Sequence, residues 1–420
     1  MRILFLSNYY PPFARGGYEQ WCQEVAEELV RRGNNVSVLT SRISQETSQL
    51  LQNGVDVYRT LSLEVEQGLL STTVRLLRDR KRVENENLDQ VRRIVASFKP
   101  DVAMVWGMWN IPRSVPALLE QLQPDQVAYY ICDYWLTLPN AYVQRWREPA
   151  TRQALNIIKR LLAKLFLLRL EKEAPVSLEL KHPICVSNAV KKLLADSHPS
   201  VRYARIIYGG TNSSEFSGNH GHKFWQKEKQ EFRLLYVGRL EAEKGVHTAI
   251  QAIPIVYHSL SDELQTSAIT LDIIGNGDPV YIEKLRGIVE QNHINDRIRF
   301  LKSKPRSEMP KLMAQYDALI FPSEWPEPFA RTVLEAMAAG LIVIGTTTGG
   351  TGELLVNLET GLTFPAGDAQ FLANQICQVF KSPELGARLA QSGQERIMTS
   401  FTFKSMVDQI EGRLCEISQA

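Results

Sequence analysis

The sequence lacks several features that would have fixed its class at once. Its five cysteines, Cys22, Cys132, Cys185, Cys377 and Cys415, are far apart in the chain, so neither a metal-ligand spacing nor a disulfide framework is present. An odd, scattered set fits reduced thiols in a cytoplasm. No run approaches the roughly 20 apolar residues that a membrane span needs. The opening "MRILFLSNYYPP" holds too short an apolar stretch for a signal-peptide core and reads as a buried first strand. Charge of one sign is not in excess either. Lys and Arg number 48 against 46 Asp and Glu, a net +2, which gives no global basic field and no case for a nucleic-acid partner. Solenoid-length repeats and low-complexity tracts are absent.

What is present is a soluble, globular composition on 420 residues, more than one hydrophobic core usually serves. Short apolar runs alternate with longer amphipathic stretches. "RILFLS" (2–7) reads as a strand, then a Gly-rich loop, then a helix from about Gly17 to Arg32, closed by Gly33. "NVSVLT" (35–40), "DVAMVW" (101–106), "QVAYYI" (126–131) and "HPICVS" (182–187) are further strands of that kind. The segment 208–230 is rich in Gly, Ser, Asn and Lys and reads as a linker. Alternation restarts with "FRLLYVG" (232–238) and continues through "ITLDIIG", "RIRFL", "DALIFP" and "LIVIGT" to a helical tail. Apolar strands alternating with helices predict parallel sheets covered on both faces. The expected organisation is a first α/β domain over 1–210, a linker over 211–230, a second over 231–397, and a helical tail over 398–420. Two such doubly wound domains are expected to face each other across a cleft, with ligands at the carboxyl ends of the strands.

Five loops follow strands and carry chemistry. In "SEWPEPFARTVLEAMAAG" (323–340), Glu327 lies in a proline-rich loop and Glu335 eight residues on. The expected helix starts at Phe329 and puts Ala330, Arg331 and Thr332 in its first turn, where unpaired N–H groups favour an anion. Two carboxylates beside an anion site can accept hydrogen bonds from sugar hydroxyls. The plainer alternative is a helix cap and a solvated side chain. In "VGRLEAEKG" (237–245), Arg239 and Lys244 bracket an acidic loop and suit a pyrophosphate; ordinary surface charge is the alternative. Gly275 and Gly277 of "GNG" allow a backbone to approach a ligand, or simply make a tight turn. "TTGGTGELL" (347–355) places Gly349 and Gly350 before an expected helix carrying Glu353. Gly16 and Gly17 open the first helix of the chain, a phosphate cradle in shape but not a dinucleotide fingerprint.

Together and in this order, these motifs resemble the retaining glycosyltransferases of family 4, which have the GT-B fold. The quoted stretch is similar to that family's E-x7-E signature. "GRLEAEKG", "IIGNGD", "LIFPSEWPEPF", "TTGGTGELL" and the N-terminal "GGYE" are similar to its other motifs. The resemblance implies that Arg239 and Lys244 hold a donor diphosphate. It implies that Glu335 binds ribose and Glu327 the sugar, and that Phe329, Ala330 and Arg331 offer backbone N–H groups. It also implies that Gly16 and Gly17 close on the donor, that Gly275 and Gly277 lie near the nucleoside, and that the helical tail 398–420 crosses back onto the first domain. Asp133 follows Cys132, where many members of the family have His, and is expected in a polar role. The implied reaction moves a hexose, with retention, from a UDP- or GDP-sugar to a saccharide or lipid-linked acceptor. It needs no metal, in keeping with the absence of any Asp-x-Asp from the sequence. A nucleotide-sugar 2-epimerase and a non-catalytic nucleotide-sugar binder are the alternatives.

Two features bear on the acceptor. Trp106, Trp109, Tyr134, Trp135, Tyr142 and Trp146 cluster after first-domain strands and either stack on sugars or pack the core. The basic amphipathic stretch 154–174 and "RLLRDRKR" (75–82) either cover the domain or touch an anionic membrane from the cytoplasmic side.

Overall fold

Most of the strands are runs of four to seven largely apolar residues, and burial on both faces explains why these read as continuous rather than alternating. The computed structural model describes residues 1–42, 49–65, 78–148, 159–160, 162–164, 167–168, 176–217, 231–260 and 268–419. The chain divides into two units. One comprises Met1–Val186, Val190–Ile207 and Val407–Ala420; the other comprises Ser187–Ala189 and Tyr208–Met406. Each is built on its own sheet, and the architecture is GT-B.

The first sheet contains β1 (Arg2–Leu6), β2 (Asn35–Ser41), β3 (Gln49–Gln52), β4 (Val55–Leu61), β5 (Val102–Val105), β6 (Val127–Ile131), β7 (His182–Cys185) and β8 (Arg205–Ile206). Their order is β3-β4-β2-β1-β5-β6-β7-β8. All pairs are parallel except β3 with β4. The second sheet contains β9 (Glu231–Val237), β10 (Ala268–Ile274), β11 (Ile298–Leu301), β12 (Ala318–Phe321), β13 (Ile342–Gly345) and β14 (Leu362–Thr363). Its order is β11-β10-β9-β12-β13-β14, parallel throughout. Strand order reverses beside β1 in one sheet and beside β9 in the other. The loops after β1 and β5, and after β9 and β12, therefore flank the crevices where such sheets bind ligands.

The helices that position these loops are α1 (Gly17–Arg31), α2 (Val246–Ser259), α3 (Pro279–Gln291), α4 (Arg331–Ala338), α5 (Pro383–Ser400) and α6 (Phe403–Ser418). Helix α2 packs Ile250, Ile253 and Val256 against Leu234, Leu271 and Ile273 of the second sheet, all without exposure. Each such side chain contributes about 2 kcal/mol by leaving water. Among the described residues, no helix is long and apolar enough to cross a membrane.

Several sequence expectations need correction. Strands β3, β4, β8 and β14 were not anticipated. β3 is an antiparallel edge strand whose Leu51 is exposed, and β8 and β14 are two residues each. The tail is two helices broken at Phe401 and Thr402, and only Val407 onward joins the first unit. Ser213–Ser217, inside the expected linker, is a short helix. Most of that linker and of the stretch 154–174 lies outside the described residues. Within 75–82, Arg80 opens a helix, Arg80–Phe98, that belongs to the first unit.

Candidate active site

The second unit brings the E-x7-E loop and the basic loop together. Strand β9 ends at Val237, and the chain turns through Arg239 and a 3-10 turn, Ala242–Lys244, into α2. Strand β12, next to β9 in the sheet, ends at Phe321, and its loop carries Glu327. Lys244 Nζ donates to Glu327 Oε1 at 2.8 Å, and Ser323 Oγ donates to the same oxygen at 2.7 Å. Both charged side chains are largely shielded, at 14% exposure each, so the pair is held in a partly dry environment. Arg239 is half exposed and bonds to Glu241 at 2.8 Å. It remains accessible at the rim of the loop.

Backbone packing explains the glycines of this region. A Cβ on Gly245 would lie 2.0 Å from the carbonyl oxygen of Pro322, and Gly245 has φ +65°. Only glycine lets the two loops approach so closely in that conformation. Gly275 and Gly277, expected near a nucleoside, pack closely against neighbouring backbone. Their added Cβ atoms would meet the carbonyls of Gly238 and Leu240 at 1.9 and 2.1 Å. Leu240 N donates to Asn276 O and Asp278 N to Leu240 O, tying the "GNG" loop to the basic loop.

The loop with Glu327 is clamped from a third side. Gly350 N donates to Glu327 O at 2.6 Å, and Thr346 Oγ1 to Ser323 O at 2.6 Å. Gly349 and Gly350 do not precede an α-helix, as expected; Gly349–Glu353 is itself a 3-10 turn. Two successive glycines are needed because Cβ atoms there would strike the carbonyls of Glu327 and Pro328. Glu353 accepts from the backbone N–H groups of Asn188 and Ala189 and from Tyr208 OH, which gives it an anchoring task.

Helix α4 starts at Arg331, not at Phe329. Ala330 is the residue flanking its start, with φ −76° and ψ 92°, and its carbonyl accepts from Val333 and Leu334 N. The two prolines upstream keep the preceding chain extended, which delays the helix. The start of α4 remains a favourable place for an anion. Phe329 is buried against Tyr208 and Phe401, ring centroids 5.4 and 5.8 Å away, and anchors the loop.

Glu335 is not a solvated side chain. It is 5% exposed and held by two guanidinium groups. Arg331 Nε donates to Oε1 at 2.8 Å, and Arg306 pairs with the same oxygen. Arg331, expected to matter through its backbone, is thus itself buried and engaged through its side chain. Arg306 and Ser323 were not singled out in the sequence. Arg306 follows β11, as the other site residues follow strands, and that position was the available signal.

In the first unit, the loops after β1 and β5 meet where Asn8 N donates to Gly107 O at 2.8 Å. Gly16 flanks the start of α1, and Gly17 is its first residue. Glu19, fully buried, accepts from Gly16 N at 2.9 Å, so the glycine loop is pinned by a carboxylate three residues on. Burial raises the Glu19 carboxyl above its ordinary value. The Gly-Gly-Tyr-Glu spacing is a helix-start pattern that could have identified it. Asp133 follows β6 and accepts from Trp135 N at 3.1 Å. Burial, reinforced by Glu19, pushes its carboxyl to about 7. The preceding Cys132 is buried, and burial drives its thiol up, so it stays neutral. Of the six aromatics considered for stacking, Trp106, Tyr134, Trp135, Tyr142 and Trp146 are buried and serve packing. Trp109 is partly exposed, with the Arg15 guanidinium 4.8 Å over its ring.

Residues 220–396 match the family described as glycosyl transferases group 1. Glycogen synthase of Mycobacterium tuberculosis is 32% identical over 173 residues, covering 41% of this chain and 40% of that protein. The chain spans between 40% and 63% of the length of the first curated relatives it matches. Sucrose-phosphate synthase from Thermosynechococcus elongatus superimposes with a TM-score of 0.71 at 19% identity, covering 99% of this chain and 98% of that one. Anabaena Alr3699/HepE, solved in complex with UDP and glucose, gives 0.69 at 19% identity, covering 99% and 100%. These two structures share the fold. Over residues 220–396, less than half of its length, the chain is similar to the glycosyl transferases group 1 family.

Proposed function

We propose that the chain is a retaining glycosyltransferase that moves a hexose from a UDP- or GDP-sugar to a saccharide or lipid-linked acceptor without a metal ion. The observation that carries this reading is the joining of Lys244 to Glu327 at the reversal of strand order in the second sheet. It sets a cation against a carboxylate that lies four residues before the start of α4. When the bond between the anomeric carbon and the diphosphate breaks, negative charge collects on the departing diphosphate. Lys244, the accessible Arg239 and the dipole of α4 supply fixed positive potential for that charge, the work a divalent cation does elsewhere. Glu327, beside that cation, is suited to accept hydrogen bonds from the hydroxyls of the donor sugar. Glu335, held rigid by Arg331 and Arg306, suits acceptance of two ribose hydroxyl hydrogens. The HepE complex with UDP and glucose supports the donor class. A lipid-linked acceptor would bring the protein to the cytoplasmic face of a membrane.

The test is calorimetric titration with UDP, GDP and ADP, with and without Mg²⁺. One diphosphate is expected to bind equally well in both conditions, and the preferred base names the donor. A strict requirement for Mg²⁺ would overturn the metal-free reading, and binding of none would remove the donor site.

A further inference from the structure

Helix α2 is preceded, at the foot of the basic loop, by Gly245, which has no side chain to satisfy the first-turn amides. Neighbouring groups do so instead. Tyr281 of α3 accepts from His247 N at 3.3 Å, and its hydroxyl lies 2.9 Å from His247 Nδ1. On the other side of the ring, His247 Nε2 lies 3.2 Å from Glu324 Oε1, in the loop after β12. Glu324 and Trp325 both donate their backbone N–H to Glu243 O, at 2.9 and 3.0 Å. The ring thus holds the Tyr281 hydroxyl on one side and the Glu324 carboxylate on the other.

We propose that His247 is a positioning residue: with Tyr281 and Glu324 it locks the loop of Glu243 and Lys244 to the loop of Glu324 and Glu327, and so fixes the cation that meets the diphosphate. The Lys244–Glu327 pair alone cannot do this. A lysine is a point charge on a flexible stem and follows its partner. The aromatic ring has at least one rotatable bond fewer than Glu or Lys, and from α2 it bridges Tyr281 of α3 and Glu324 of the loop after β12. Its substitution leaves Lys244, Glu327 and Glu335 chemically intact and changes only where the two loops lie. The link to the diphosphate rests on the donor-site reading above; the lock itself does not.

Two measurements test it on the full chain. The first is hydrogen exchange at the amides of Glu324 and Trp325. His247→Ala is expected to speed exchange there at least about tenfold while amides of β9 and β12 keep wild-type rates. Unchanged exchange at Glu324 and Trp325 would overturn the lock, whatever binds. The second is titration with the preferred nucleoside diphosphate and with its nucleoside. His247→Ala and Glu324→Gln are expected to weaken the diphosphate about tenfold or more and leave the nucleoside unchanged. His247→Gln, which keeps a donor toward Glu324, is expected to recover part of the loss. Equal loss of both ligands, or of neither, would overturn the positioning role. A wild-type protein that binds no diphosphate while the exchange result holds would sink the donor-site reading and the link to it, but not the lock.

Discussion

The ammonium of Lys244 lies 2.8 Å from the carboxylate of Glu327, joining residues 83 positions apart in the chain. In this geometry Lys244 cannot be replaced without consequence for both stability and binding. Lys244→Met leaves the Glu327 carboxylate with one hydroxyl donor, Ser323, in a shielded place. We expect a loss of about 1–3 kcal/mol, less than for a fully buried pair. Diphosphate affinity should fall at least about tenfold. Adding Glu327→Gln should restore most of the stability and none of the affinity, because the cation is still missing. Urea denaturation and calorimetry on the single and double variants check this as a double-mutant cycle. Recovery of affinity in the double variant would show that Lys244 acts only by neutralising Glu327.

Glu335 tests the nucleoside side of the site. Glu335→Ala leaves Arg331 and Arg306 facing each other without the charge that holds them, at a cost of about 3–5 kcal/mol. Glu335→Gln keeps the shape and is the cleaner variant. It should bind nucleoside and diphosphate more weakly by a similar factor, since the ribose is common to both. Arg306→Ala, at a side chain 26% exposed, should cost about 1 kcal/mol or less and leave Arg331 holding Glu335. Wild-type nucleoside affinity in Glu335→Gln would reduce Glu335 to an internal counter-ion of α4.

The alternation that signals two parallel sheets was legible because their strands are buried on both faces and appear as unbroken apolar runs. β4, "VDVYRTL", alternates buried and half-buried residues and so escaped a search for such runs. β8 and β14 are too short for any periodicity. At the site, each loop was legible singly because it follows a strand. The links between loops were not. Arg306 with Glu335, and Gly350 with Glu327, depend on which strands are neighbours, and that order is not written in local sequence. Motif reading marked Gly275 and Gly277 as special but did not show that the carbonyls of Gly238 and Leu240 lie where their Cβ atoms would be.

Away from the site, Asp272 holds one end of the second sheet together. It is 1% exposed on β10 and accepts two bonds from Arg299 of β11, at 2.6 and 2.7 Å, and one from Tyr316 OH at 2.6 Å. Asp272→Asn removes the charge that Arg299 needs and offers only one accepting oxygen. The expected loss is about 2–4 kcal/mol, with diphosphate affinity unchanged in the folded protein. Denaturation and titration of the same sample separate the two. An unchanged midpoint would mean that Arg299, itself half exposed, gains as much from water.

Glu64 predicts a pH dependence in the first unit. It is 5% exposed and accepts from Ala141 N at 3.2 Å. Burial pushes its carboxyl from the ordinary 4.5 to about 7, with the Ala141 amide and Arg80 pulling the other way. The folded state therefore holds a proton that the unfolded chain releases. The associated stability is complete below about pH 4.5 and is lost as pH rises through 7, about 3 kcal/mol in all. Glu64→Gln cannot ionise and keeps an oxygen for Ala141. It should match the wild type near pH 5 and exceed it by about 1–3 kcal/mol at pH 8 in urea denaturation. Asp133, also raised to about 7 by burial, keeps its own titration in that variant, so a shallower slope rather than a flat one is expected. A difference between variant and wild type that is the same at both pH values would mean that Glu64 is ionised throughout and held by Arg80 and Arg113.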